Sequence, residues 1–184
     1  MQTLAIFKHN ITRIVAPLTF AVCSLASAPS LTDANILGIY VQVNSFDIET
    51  ALAGQAHGTS DALRSVASHV ASDHLGVRQQ AYELAGQCNV SILLPPDRDS
   101  AALEHSKTMT RLLSLTGAAF DRAYAKHEVA FHRSAIDAVR KVLLPATTCQ
   151  ALKTHLNAVL PALEHHLDQA EALERALLGT NGKR

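Results

Sequence analysis

Four long stretches of this chain repeat apolar side chains at every third or fourth position, the spacing that lines them along one side of an α-helix. Leu63, Ala67, Val70, His74, Val77, Ala81 and Leu84 form one stripe. Ala125, Val129, His132, Ile136, Val139 and Leu143 form another, and Leu152, Leu156, Val159, Leu163, His166, Ala170, Leu173 and Leu177 a third. The fourth runs through Ile36, Tyr40, Val43 and Asp47. No stretch alternates convincingly as a strand. A striped helix has to bury its stripe against a partner, so the pattern restricts the chain to helices packed on helices. Composition agrees: the chain is 48% hydrophobic but only 4% aromatic, because Ala and Leu, both strong helix formers, dominate it.

Punctuation between the stripes sets the boundaries. Helix one is predicted over residues 32–56, capped by Ser30 or Thr32, and helix two over residues 61–87 after the turn His57-Gly58-Thr59-Ser60. Pro95-Pro96 makes residues 89–99 irregular, and a short helix over residues 100–115 follows. Helix three is predicted over residues 118–143 with Pro145 as its stop. Thr147 and Gln150 read as a capping box for helix four, which Pro161 is expected to kink. Residues 179–184 read as a frayed tail. About 30 residues separate helices two and three, where an antiparallel turn needs only a few. The expected fold is therefore all-α, a single domain over residues 29–178. It is a ferritin-like four-helix bundle with a long crossover, containing the short helix, between helices two and three.

Residues 1–28 read as a signal peptide. Lys8 and Arg13 are its basic part, and the apolar run over residues 14–26 is about 13 long, short of the roughly 20 that span a bilayer. Cleavage after Ala26 or after Ala28 fits the small residues there. Lipid attachment at Cys23 fits poorly because Val22 precedes it, and an uncleaved membrane-associated helix is the remaining alternative. The expected location is periplasmic or secreted, with no transmembrane span in the mature chain. Cys88 and Cys149 then form a disulfide, as an oxidising compartment favours, or stay as two buried thiols. Their positions bear on topology. A simple up-down-up-down bundle would hold them roughly 35 Å apart, and a disulfide needs Cα atoms within about 7 Å, so a bond between them excludes that arrangement.

Lys+Arg and Asp+Glu both number 16. Binding nucleic acid takes a surplus of cations to displace phosphate counterions, and none exists; no like-charge block suggests a membrane surface either. Nucleophile elbow, phosphate loop, zinc ribbon and haem-attachment motifs are all missing, and no Ser/His/Asp spacing marks a triad. Catalysis has no support.

The unusual feature is polar. Of ten histidines, His74, His132 and His166 sit on apolar stripes, and Asp47 points inward from helix one, while Glu49 turns toward the polar side with Gln42 and Ser45. Burying unpaired imidazole or carboxylate is costly, so these groups must meet one another, a water or a metal. Two readings follow. In one, His74, His132, His166 and Asp47 bind a transition metal ion in the bundle core. In the other, they form a hydrogen-bonded network that fixes helix register in a metal-free structural or interaction module of the cell envelope. Counting ~1.5 Å per residue puts His74 and His132 at one height and His166 nearer Asp47 and Asp121, about 10 Å away, so one merged site and two clusters both remain open. The di-iron step Glu-x-x-His is absent: Glu128 precedes His132 by four and Glu164 precedes His166 by two. Asp73 either orients His74 or is solvated, and Asp121 suits a helix N-terminus. His57, His69, His105, His127, His155 and His165 read as surface residues.

Several short stretches, in order, resemble a known family: Thr32-Asp33-Ala34-Asn35-Ile36-Leu37; Asn44 with Asp47-Ile48-Glu49; Val70 with Asp73-His74; and Gly117 to Tyr124 (GAAFDRAY). Val129 with His132, and Pro161-Ala162-Leu163 with His166-Leu167 and Ala170, complete the set. Together they resemble the bacterial family of exported ferritin-like bundles catalogued as domain of unknown function 4142. The resemblance implies a ferritin-like fold and a secreted or periplasmic location, and no known reaction. The family usually carries Glu where this chain has the shorter Asp47.

Overall fold

A computed structural model describes residues 31–179. Its regular structure is entirely helical, with no strand among the described residues. The expected leader and residues 180–184 of the expected tail lie outside them.

α1 (Asp33–His57) begins at a capping box: Thr32 accepts the Asn35 N–H while the Asn35 side chain accepts the Thr32 N–H, satisfying donors that the first turn leaves open. α2 (Asp61–Gln87) starts at Ser60, whose hydroxyl accepts the Leu63 N–H. The connection that follows runs back over α1, where the Leu93 N–H donates to the Ala34 carbonyl. It lies so close that a Cβ on Gly38 would fall 1.8 Å from the Leu93 oxygen; only glycine permits that approach. α3 (Arg98–Leu113) then rests against α1 and α4 (Gly117–Ala138). α4 does not stop at Leu143. It passes through a π-turn, Val139–Leu143, into a final turn α5 (Leu144–Ala146). α6 (Gln150–Gly179) runs unbroken through Pro161 and takes in Gly179, which the sequence reading left to the tail.

The start of α6 differs from expectation. Thr147 forms no capping box; its hydroxyl donates back to the Leu143 carbonyl. Asp33, the first residue of α1, supplies the acceptor instead, taking the N–H groups of Thr148 and Cys149 at 3.0 Å each. A carboxylate suits the positive end of a helix dipole, and no local sequence pattern could reveal one donated from 115 residues away. The contact also fixes direction: α1 and α6 begin at the same end. α2 finishes there too, because Cys88 and Cys149 are joined in a disulfide with Cα atoms 5.6 Å apart.

The core is stratified along the helix axes. Near the disulfide, Ile36, Leu37, Leu152 and Leu156 form a dry apolar plug. At the opposite end Leu63, Phe120, Tyr124 and Ala125 form another. Between the plugs lies a buried polar stratum of Asn44, Asp47, Thr50, His74, Glu128, His132 and His166. No helix among the described residues is long and apolar enough to cross a membrane.

Candidate metal centre

Every long helix sends a metal-ligand type into that stratum: Asp47 from α1, His74 from α2, Glu128 and His132 from α4, His166 from α6. Asp47, His74, His132 and His166 occupy positions where the periodic stripe predicts an apolar residue, so helix packing itself carries them inside; Glu128 lies one turn before His132 on the same face. The three rings meet. Their centroids lie 5.6 Å apart for His74 and His132, 5.4 Å for His74 and His166, and 5.2 Å for His132 and His166. One nitrogen from each comes within 4.8 Å of the others. Of the two arrangements the sequence left open, the merged one is present. The expected 10 Å offset of His166 disappears because the third long helix reaches Ala146 instead of Leu143 and α6 starts at Gln150, which brings His132 and His166 to nearly equal heights.

Each imidazole has one nitrogen in a full hydrogen bond and the other without one. His74 Nδ1 donates to Asn44 Oδ1 at 2.8 Å, and Asn44 is oriented by its own amide, which donates to the Tyr40 carbonyl at 2.7 Å. His132 Nδ1 donates to the Glu128 backbone carbonyl at 3.0 Å. His166 Nε2 donates to Asp73 Oδ2 at 3.0 Å, so the residue read as an orienter of its neighbour His74 orients a ring on α6. The remaining nitrogens, His74 Nε2, His132 Nε2 and His166 Nδ1, are buried with no hydrogen-bond partner. Fixing one nitrogen as a donor leaves the other a lone pair, the state of a metal-ligating histidine.

The carboxylates are equally unfinished. Asp47 Oδ2 lies 2.9 Å from His74 Nε2 and 3.6 Å from His132 Nε2, ion-pair contacts that stop short of a full hydrogen bond at either of its oxygens. Glu128 Oε2 lies 3.7 Å from His132 Nδ1, and neither Glu128 oxygen completes a full hydrogen bond, with the Tyr124 hydroxyl as a neighbouring donor. Asp47, Glu128 and His132 also bring one ligand atom each to within 4.8 Å. Burial opposes the charge on Asp47, but His74 first and His132 next outweigh it and hold its carboxyl below the ordinary range. Burial, reinforced by the Asp47 charge, pushes Glu128 well above that range; Tyr124 beside it works weakly the other way. Two carboxylates with open oxygens beside three bare imidazole nitrogens, all shut away from water, are what a cation would satisfy and what a metal-free core should avoid.

Sequence reasoning missed Glu128 and Asn44. Glu128 was set aside because it precedes His132 by four, although an i,i+4 step places two side chains on the same helix face. Asn44 lies one turn after Tyr40 and carried no ligand signal. Three supposed surface histidines are half-buried: His105 stacks on Phe46 at 4.2 Å and faces Glu49 at 2.8 Å, His155 meets the Tyr40 hydroxyl at 2.9 Å, and His127 sits on α4. Asp121 stays out of the site, accepting the Thr59 N–H at 3.0 Å to close the α1–α2 turn.

Burial lowers the pKa of His132 to about 4 and also lowers those of His166, His127 and His155. The unfolded chain protonates these groups near 6.5, so between pH 6.5 and 4 it binds more protons than the folded protein, and stability falls with pH. Glu128 acts in the opposite sense, since the folded state holds its proton where the unfolded chain has lost it. With several histidines against one carboxyl, the metal-free protein is expected to lose about 1–2 kcal/mol between pH 6.5 and 4.5. Urea unfolding across that range measures it; stability that rises on acidification would contradict the burial of these rings.

The family description "Domain of unknown function (DUF4142)" matches residues 21–173. The chain belongs to that family. No curated protein and no solved structure matches it. In this member of the DUF4142 family the matched span holds all five candidate ligands, the capping contact from Asp33 and both disulfide cysteines.

Proposed function

We propose that the protein is an exported, periplasmic or secreted, ferritin-like four-helix bundle that holds one divalent transition-metal ion through His74, His132, His166 and Asp47, with Glu128 as a further ligand. The carrying observation is the set of ligand-type atoms without a full hydrogen bond: three ring nitrogens and four carboxylate oxygens, all buried, with Asp47 set against His74 and Glu128 beside Tyr124. Imidazole-rich mixed donors favour ions such as zinc, copper, iron or nickel over magnesium or calcium. Two carboxylates balance the charge of a divalent ion. Asn44, the Glu128 carbonyl and Asp73 would hold the rings in the ligating tautomer. Such an ion supplies Lewis acidity or electron transfer; the reading assigns no reaction.

The topology has independent support. α1 and α6 start at the end where α2 finishes, and Arg133 pairs with Glu171 while Arg140 pairs with Glu164, so α4 and α6 run antiparallel. α2 and α4 then point the same way, which demands a crossover through the segment containing α3. Export is supported by the leader-like residues 1–28 and by the disulfide, which persists in oxidising compartments.

Metal analysis of purified, metal-loaded protein should give one ion per chain, and the double variant His74→Ala, His132→Ala should give none while keeping its helical circular dichroism. Chelation should lower the melting temperature of the parent alone. Equal metal content in parent and variant, or a melting temperature indifferent to chelator, would return these residues to a register-fixing network.

A further inference from the structure

Against the imidazoles, on their disulfide side, the bundle encloses a cavity of about 80 Å³. All four long helices wall it: Val43, Val77, Phe131, Val139, Val159 and Leu163 present carbon to it, Val139 from the π-turn. The polar groups at its edge are already engaged. His74 Nδ1 is bonded to Asn44, the Asn44 amide to the Tyr40 carbonyl, and His166 Nε2 to Asp73. His74 and His166 are the two proposed ligands in its wall, and their remaining nitrogens, His74 Nε2 and His166 Nδ1, are the ones assigned to the ion. A water needs two to four polar partners, so an apolar space of this kind stays dry; one of ~150 Å³ admits benzene or xenon. Of the lining residues only Asp73 and Ala162 are exposed, which places the opening on the seam between α2 and α6.

We infer that this cavity is a binding chamber for a small uncharged, apolar molecule of about three heavy atoms, seated against the His74–His166 side of the metal centre. The chamber itself follows from the metal-free geometry. Its role of presenting a guest to the ion rests on the metal reading above.

Xenon is the probe. In metal-free protein, xenon NMR should report one saturable site that disappears in Ala135→Leu, which fills the wall, and in Ala162→Leu, which plugs the mouth from an exposed position that folding tolerates. With cobalt(II) loaded, bound xenon should relax several-fold faster than in the metal-free protein. Xenon binding absent from the parent, or untouched by both substitutions, overturns the chamber. Bound xenon whose relaxation ignores loaded cobalt overturns its placement beside the ion. Protein that takes xenon but no cobalt keeps the chamber and overturns the metal reading with the presenting role, so the two failures are distinguishable.

Discussion

Replacing Cys88 and Cys149 together by serine is expected to destabilise the protein by about 4 kcal/mol. The two cysteines are 61 residues apart in sequence, and on the chain-entropy account a loop of that length removes roughly this much freedom from the unfolded state. The loss should be of unfolding free energy, not of architecture. Asp33 still ties the start of α1 to the start of α6, and the plug of Ile36, Leu37, Leu152 and Leu156 still closes the same end. Urea unfolding with circular dichroism checks both points. A loss below about 1 kcal/mol would mean that these contacts already hold the chain ends together in the unfolded ensemble.

The second large effect has opposite signs on two measurements. Glu128→Gln should stabilise the metal-free protein at pH 8 by about 1–3 kcal/mol, because it removes a carboxyl that burial and the Asp47 charge both oppose. The same substitution should weaken metal binding by at least the order of 100-fold, beyond what the loss of an outer partner costs. It also deletes the one group that offsets the histidines on acidification, so stability should fall more steeply below pH 6.5 than in the parent. Gains in stability bought with lost function are expected where a site is built from strained electrostatics. Stability and metal affinity that fall together would place Glu128 in the packing of the core and not in the coordination of an ion.

Much of this was legible in the stripes. Periodicity places His74, His132 and His166 inside because an imidazole at an apolar register position travels with its helix face, and the long segment before Gly117 with the paired cysteines points to the arrangement of helix ends. What stayed hidden depends on contacts between distant segments. The carboxylate that serves α6 comes from Asp33, and the local pattern at Thr147 and Gln150 suggested a different donor. The height of His166 depends on a π-turn and on a helix running past its proline, and neither has a periodic signature. Glu128 lies four residues before His132, outside the Glu-x-x-His step, and only the i,i+4 geometry of the helix brings it to the same face. Asn44 and Asp73 act through hydrogen bonds to rings on other helices, and sequence alone holds no record of such bonds.

The polar stratum between its two apolar plugs has a kinetic consequence. The proposed ligands come from α1, α2, α4 and α6, so no hairpin or fragment of the chain owns the site, and it comes into being only when all four rods have docked. An ion held there would face the outside only through the narrow apolar chamber on the α2–α6 seam, so its protein ligands could not be exchanged one by one from an open surface. Its residence time is set by how often the bundle breathes open, and whatever slows that opening, the disulfide included, slows exchange of the ion with the surroundings.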